Sequence, residues 1–231
     1  MSSRPRTSMS SPALARVVEL VVHRGTQRVL DGVSETLCQG EVVVIMGENG
    51  SGKTTLIEAF AGLIPLRSGD VIWAENGNSI VVRDSQGRRN QPPSMGLTLQ
   101  KGGVCGDETV MERISVSLSV AGIEHSDDQI MELLSLWGLE HRANDRLAHL
   151  SGGLSRRVAI LGGLAPAALS NSPLVVLLDE PSEGLDDSAK DILSSWIRSL
   201  SSRNHAILIA THDKDISSTA DRVLTIRDGS I

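Results

Sequence analysis

Val42-Val43-Val44-Ile45-Met46 runs directly into Gly47-Glu48-Asn49-Gly50-Ser51-Gly52-Lys53-Thr54, and this junction decides the architecture. Five consecutive apolar residues suit a strand buried on both faces, as in the middle of a parallel sheet. The eight residues that follow fit G-x-x-x-x-G-K-[ST], a phosphate-binding loop. Its glycines let the backbone curl until successive N–H groups point inward as an anion nest. A helix is predicted from Thr54 to Leu63, and its positive end faces the same anion. Lys53 is placed to reach the β- and γ-phosphates, and the Thr54 hydroxyl to ligate Mg2+. A glycine-rich turn matching by accident would explain neither the strand before the loop nor the helix after it.

A second apolar run, Leu174-Val175-Val176-Leu177-Leu178, ends in Asp179-Glu180. Ligands bind at the C-terminal ends of parallel strands, so both carboxylates belong beside the loop. Asp179 is suited to hold Mg2+ through water, and Glu180 to polarise an attacking water. An acidic pair that merely caps the next helix would account for one carboxylate alone.

Working outward, Val17–Val22 and the segment through Val29, Leu30 and Val33 read as strands. Val71–Trp73 and Ile80–Arg83 read as antiparallel strands across Asn76-Gly77-Asn78. Ser85–Ser94 reads as a polar loop. From Glu108 to about Leu164 the chain reads as mostly helical, with apolar spacings of three and four. Strand and helix then alternate: strand Leu174–Leu178, helix Ser188–Leu200, strand Ala206–Ala210 and strand Val223–Ile226. The composition is that of an ordinary globular chain: 231 residues, 40% hydrophobic, formal net charge -6. That acidic balance, with no tyrosine and one phenylalanine, argues against nucleic acid as a partner. Two cysteines, Cys38 and Cys105, form no disulfide framework and fit a reducing compartment. No apolar run is long enough to span a bilayer. The polar start lacks the apolar core of a secretory signal, so residues 1–14 are expected to be a disordered tail.

The elements between and after the two motifs narrow the field. Leu150-Ser151-Gly152-Gly153-Leu154 resembles the LSGGQ signature of ATP-binding cassette (ABC) proteins, and Gln100 stands where that family has its Q-loop glutamine. Ser182-Glu183-Gly184-Leu185-Asp186 resembles the D-loop, and Ile209-Ala210-Thr211-His212-Asp213 resembles the switch-histidine segment. The elements stand in the family's order, and the closing Ala220–Gly229 stretch is also typical. The resemblance spans about Val17 to Ile231. Without it, Ser151-Gly152-Gly153 reads as a serine-capped helix start able to hold an anion. His212 alone would read as a surface histidine.

The resemblance implies an α/β fold: a P-loop NTPase (RecA-like) core, an N-terminal antiparallel β subdomain and an inserted α-helical subdomain at about 101–165. Residues 15–231 would form a single ABC ATPase domain. It implies an ATPase subunit that dimerises on ATP, as a homodimer or heterodimer, and drives translocation through a separate membrane permease. The alternatives are a soluble ABC ATPase in an assembly process such as iron–sulfur cluster biogenesis, or an ATP-gated dimerisation switch with weak turnover. ATP and Mg2+ are the implied cofactors. Its place would be cytoplasmic, peripheral on the cytoplasmic face of the cell membrane, without direct membrane insertion. Glu180, His212 and Gln100 take the catalytic roles, and Thr54, Gln100 and Asp179 the metal. Nucleotide falls to Gly47, Glu48, Asn49, Gly50, Ser51, Gly52, Lys53, Thr54 and Thr55, with Arg24, Asp186, Ser151, Gly152 and Gly153. Within this group, Ser151 and Gly153 would complete the site of a second chain. Gln100 to about Arg113 is the implied permease-facing segment. Three positions depart from the family: Arg24 stands where an aromatic usually stacks on adenine, Leu154 replaces the signature glutamine, and Leu161–Pro173 is long and rich in alanine and glycine. A guanidinium can stack on a base, which keeps Arg24 a candidate.

Overall fold

The structure, a computed structural model, describes residues 11–75, 77–100 and 106–231. Most of the expected tail, Asn76 of the hairpin turn, and Cys105 with its four preceding neighbours in the expected permease-facing segment lie outside the described residues. In chain order the first elements are β1 (Ala13–Arg24), β2 (Gln27–Cys38), β3 (Val42–Met46), α1 (Lys53–Phe60), β4 (Ser68–Glu75), β5 (Asn78–Asp84) and β6 (Met95–Thr98). Then come α2 (Val110–Val120), α3 (Asp127–Leu136), α4 (Gly152–Leu169), β7 (Val175–Asp179), α5 (Asp187–Ser202), β8 (Ala206–Ala210), α6 (Lys214–Ser217) and β9 (Arg222–Thr225). One sheet is antiparallel, in the order β2-β1-β4-β5; the other is parallel, in the order β6-β7-β8-β3-β9.

The continuous apolar runs behave as a doubly covered sheet requires. Val42 and Val44 of β3 join one core with Val176, Leu178, Ile207 and Ile209, while Val43 and Ile45 join the other with Val175, Leu177 and Leu208. The first core is covered by helices, through Ile114, Leu118, Trp137, Leu161, Leu193 and Ile197. The second is covered by α1 and the antiparallel sheet, through Leu56, Ile57, Phe60, Leu20, Leu30 and Trp73. Trp73 also donates its Nε1–H to the Phe60 carbonyl at 2.9 Å, fastening β4 to the end of α1. Truncating a buried aromatic of this kind costs about 3–5 kcal/mol.

The helical middle is shorter than its apolar spacing suggests. Thr109 and Ser126 form capping boxes with Glu112 and Gln129, which fixes where α2 and α3 begin. Residues 137–151 are turns with two short 3-10 segments rather than helix. The strand β6 has no counterpart in the sequence reading, because Met95-Gly96-Leu97-Thr98 is brief and carries a glycine. That glycine has a packing cause. A Cβ on Gly96 would lie 2.1 Å from the Gly163 carbonyl oxygen, and one on Gly163 would lie 2.0 Å from Thr98 Oγ1. The small residues after Leu161 let α4 lie directly on β6. His205 is buried and accepts from the Leu174 N–H at 3.0 Å through Nδ1; burial pushes its pKa down to about 4. Among the described residues no helix is long and apolar enough to cross a membrane.

Candidate active site

Gly47 to Gly52 link β3 to α1 and wrap the helix start. Gly52 is the N-cap of α1 with φ 113°, a backbone conformation that favours glycine. A Cβ on Gly47 would meet Ile226 O and Ser51 Oγ at 2.6 Å each, so the loop is pressed against the chain after β9. Lys53 is buried and its ammonium donates to the carbonyls of Gly47 at 2.8 Å and Glu48 at 3.0 Å. An ammonium has three donors, which leaves one for a ligand. Ser51 Oγ is buried with no hydrogen-bond partner among the described residues. Such a hydroxyl is costly unless a ligand oxygen meets it. The loop lines a cavity of about 770 Å3 together with Arg28, Val29, His212 and residues 225–229.

The order of the parallel sheet brings the acids to this loop. β8 lies between β7 and β3, so the ends of the three strands sit side by side. Thr54 Oγ1 donates to Asp179 Oδ2 at 2.8 Å. Asp179 is fully buried, and burial pushes its carboxyl pKa up, against the lowering effect of the Thr54 hydrogen bond. Its Oδ1 has no partner among the described residues. A hydroxyl and an orphaned carboxylate oxygen are the hard-oxygen ligands Mg2+ takes, alongside waters and phosphates. The residues therefore fit the cation.

Glu180 sits one residue further, buried, with φ 46° in the left-handed region. A non-glycine residue held there stores strain. Its N–H donates to the Ala210 carbonyl at 2.7 Å, and its Oε2 accepts from the His212 N–H at 3.3 Å. The same oxygen lies 2.9 Å from His212 Nδ1, while the His212 ring is largely exposed and faces the cavity. Together these groups can hold a triphosphate and a divalent cation, and present a carboxylate and an imidazole to one water.

The remaining expected residues are placed less simply. Thr55 is buried in the first turn of α1. Gln100 has its backbone against Asp179, but its Nε2 donates to Glu183 Oε2 at 3.1 Å. Ser151 caps α4 by accepting from the Leu154 N–H at 3.3 Å, and Ser151, Gly152 and Gly153 are exposed and outside the cavity lining. Asp186 caps α5 through Ala189 N–H at 2.9 Å and pairs with Arg157 at 2.6 Å, both of which hold its pKa down. Within one chain it is committed to those two partners. The Arg24 guanidinium pairs with Glu58 of α1 and is absent from the cavity lining. Arg28 lines the cavity.

Sequence reasoning passed over Arg28, Arg156 and Arg157, and gave no site role to Glu183 or to the 225–229 segment. A signal existed for two of them. Asp179, Glu180, Glu183, Asp186 and Asp187 crowd one stretch of nine residues, and Arg156-Arg157 stand one turn into the helix that the signature opens.

Comparison with known proteins agrees with this geometry. The family model described as ABC transporter matches residues 30–183. The LolD ATP-binding protein of a lipoprotein-releasing system from Granulibacter bethesdensis is 32% identical over 228 residues, covering 95% of this chain and 97% of that protein. The MacB macrolide export ATP-binding/permease protein of Psychrobacter cryohalolentis is 33% identical over 210 residues, covering 89% of this chain; the match spans only 30% of MacB. In fold, the chain superposes on the dimeric structure of MJ0796, a bacterial ABC transporter cassette, with a TM-score of 0.79 and 22% identity, covering 94% of this chain and 96% of that one.

Proposed function

The chain belongs to the ABC transporter family, and we propose that it is the ATP-binding and ATP-hydrolysing subunit of a transporter whose permease is a separate chain. The observation that carries this reading is the meeting of Thr54 with Asp179 and of Glu180 with His212 beside a nest whose lysine and serine await phosphate oxygens. The likeness to the LolD ATP-binding protein, over 95% of this chain and 97% of that protein, supports the ATP-binding-subunit reading.

The chain's own groups divide the work. The loop N–H groups, Ser51 and Lys53 bind the triphosphate and fix its line of departure. Thr54, Asp179 and Gln100 would hold Mg2+. Bound there, the cation neutralises charge on the phosphate oxygens. Glu180 Oε2 accepts a hydrogen bond from the attacking water and takes its proton. His212 orients Glu180 and donates to the γ-phosphate. Ser151 and Gly153 serve the γ-phosphate of a second copy, because their helix start opens to solvent rather than to the cavity of its own chain. Two chains would thus enclose two nucleotides head to tail, and hydrolysis would release them. The implied working place is the cytoplasmic face of the membrane, held there by the permease.

Phosphate release from MgATP by the purified chain tests the reading. Glu180→Gln should lower kcat by about 100-fold or more, the range for a lost general base, while MgATP still binds. A Glu180→Gln chain that turns over at the parent rate would remove Glu180 from this role.

A further inference from the structure

Arg156 occupies a place that nothing in the nucleotide chemistry above uses. The parallel ladder between β6 and β7 ends at Thr98 and Leu178. Beyond it the two chains part toward Gln100 and Glu180, and their carbonyls need donors from elsewhere. Arg156 supplies them from α4. Its Nη1 donates to Leu99 O at 3.3 Å and Gln100 O at 3.4 Å, and its Nη2 to Asp179 O at 3.2 Å and Glu180 O at 2.6 Å. One planar fork therefore bridges the segment carrying Gln100 and the strand end carrying both acids. The bond to Glu180 O is the shortest of the four, and it falls on the residue with the left-handed backbone. Glu183 N–H donates to the same carbonyl at 3.2 Å, so the Glu180 peptide is pinned at both ends: through its N–H by β8, through its C=O by α4 and the following turn.

We propose that Arg156 is a positioning residue, holding Glu180 in its strained conformation and tying Gln100 and the signature-bearing α4 to the same strand end as one rigid unit. Its price is visible in the structure: burial pulls the arginine's pKa down, against the opposing charges of Glu183, Asp179 and Glu180, and its Nε has no partner among the described residues. The guanidinium alone has the planar geometry to reach four carbonyls on two segments. A lysine ammonium is a point charge and could serve one segment at a time.

The catalytic consequence rests on the ATPase reading, whereas the pinning of the Glu180 peptide does not, so two measurements separate them. In steady-state kinetics with MgATP, Arg156→Gln should lower kcat at least ten-fold, with KM and directly measured MgATP affinity within two- to three-fold of the parent. Arg156→Lys should recover part of the loss. Arg156→Gln combined with Glu180→Gln should be no slower than Glu180→Gln alone, since both act through one carboxylate. In amide exchange of the nucleotide-free chain, the Glu183 N–H should exchange at least ten-fold faster in Arg156→Gln while β3 and β8 keep the parent rates. Turnover of Arg156→Gln within two-fold of the parent, or unchanged exchange at Glu183, would overturn the proposal. A parent chain without turnover would count against the ATPase reading alone, and exchange would still decide the role of Arg156.

Discussion

Two helix starts in this molecule use the same device and are finished to different degrees. α1 opens at Gly52-Lys53 and α4 at Ser151-Gly152, each with glycines that leave backbone N–H groups accessible and each with a favourable dipole end. Around α1 everything needed for a phosphate comes from one chain: a buried lysine, an orphaned Ser51 hydroxyl and two strand ends of side chains. Around α4 the serine caps its own helix, the glycines face solvent, and Asp186 is bound to Arg157. On the proposed reading, the first site is complete in one chain and the second is completed by nucleotide bound to another. The difference between the two is the physical reason for expecting two chains to close on one nucleotide.

Breaking the complete site should give the largest effect. Lys53→Ala removes the one charge-assisted bond left for phosphate, about 1.5–3 kcal/mol, together with the two bonds that tie the loop carbonyls of Gly47 and Glu48, so MgATP affinity should fall about 100-fold or more, read by calorimetry or a fluorescent nucleotide. Next comes Glu180→Gln, with affinity kept and kcat down about 100-fold or more, because only the group acting on water is changed. The open half-site sharpens the contrast. Gly153→Asp sets a carboxylate against an incoming phosphate, and should leave nucleotide affinity of the isolated chain within two-fold while abolishing nucleotide-dependent association. Ser151→Ala should act in the same sense but more weakly, since a lost N-cap costs about 1 kcal/mol; sedimentation in MgATP should show association weakened by roughly five-fold. Smallest is Arg24→Ala. The Arg24–Glu58 pair is partly exposed, and such pairs are worth about 0–1 kcal/mol, so MgATP affinity should change by less than about three-fold. A ten-fold loss would support base stacking by Arg24.

The same contrast marks what the sequence could and could not convey. The loop and the two acids were legible because each is a contiguous pattern on a strand end, and strand order then brings them together; His212 was singled out only through the family resemblance. β6 was illegible, since four residues with a glycine carry no periodicity; only the close approach of Gly163 explains Gly96. Residues 137–151 kept helical spacing through Leu139, Ala143 and Leu147 but fold as turns, because their apolar side chains reach the core without helix. The ion pair of Arg24 was not legible: nothing in the sequence around Gly25 reveals that Glu58 lies across from it. Arg156 escaped notice because its partners are backbone carbonyls far away in sequence, which no side-chain pattern records.

The most direct measurement is the mass of the Glu180→Gln chain in solution, by light scattering or sedimentation, with and without saturating MgATP. Monomers without nucleotide that become dimers with it, and return to monomers when Gly153→Asp is added, are the expected result. A chain that demonstrably binds MgATP yet remains a monomer at every concentration, even with its permease present, would contradict the claim that the α4 start completes a second molecule's site.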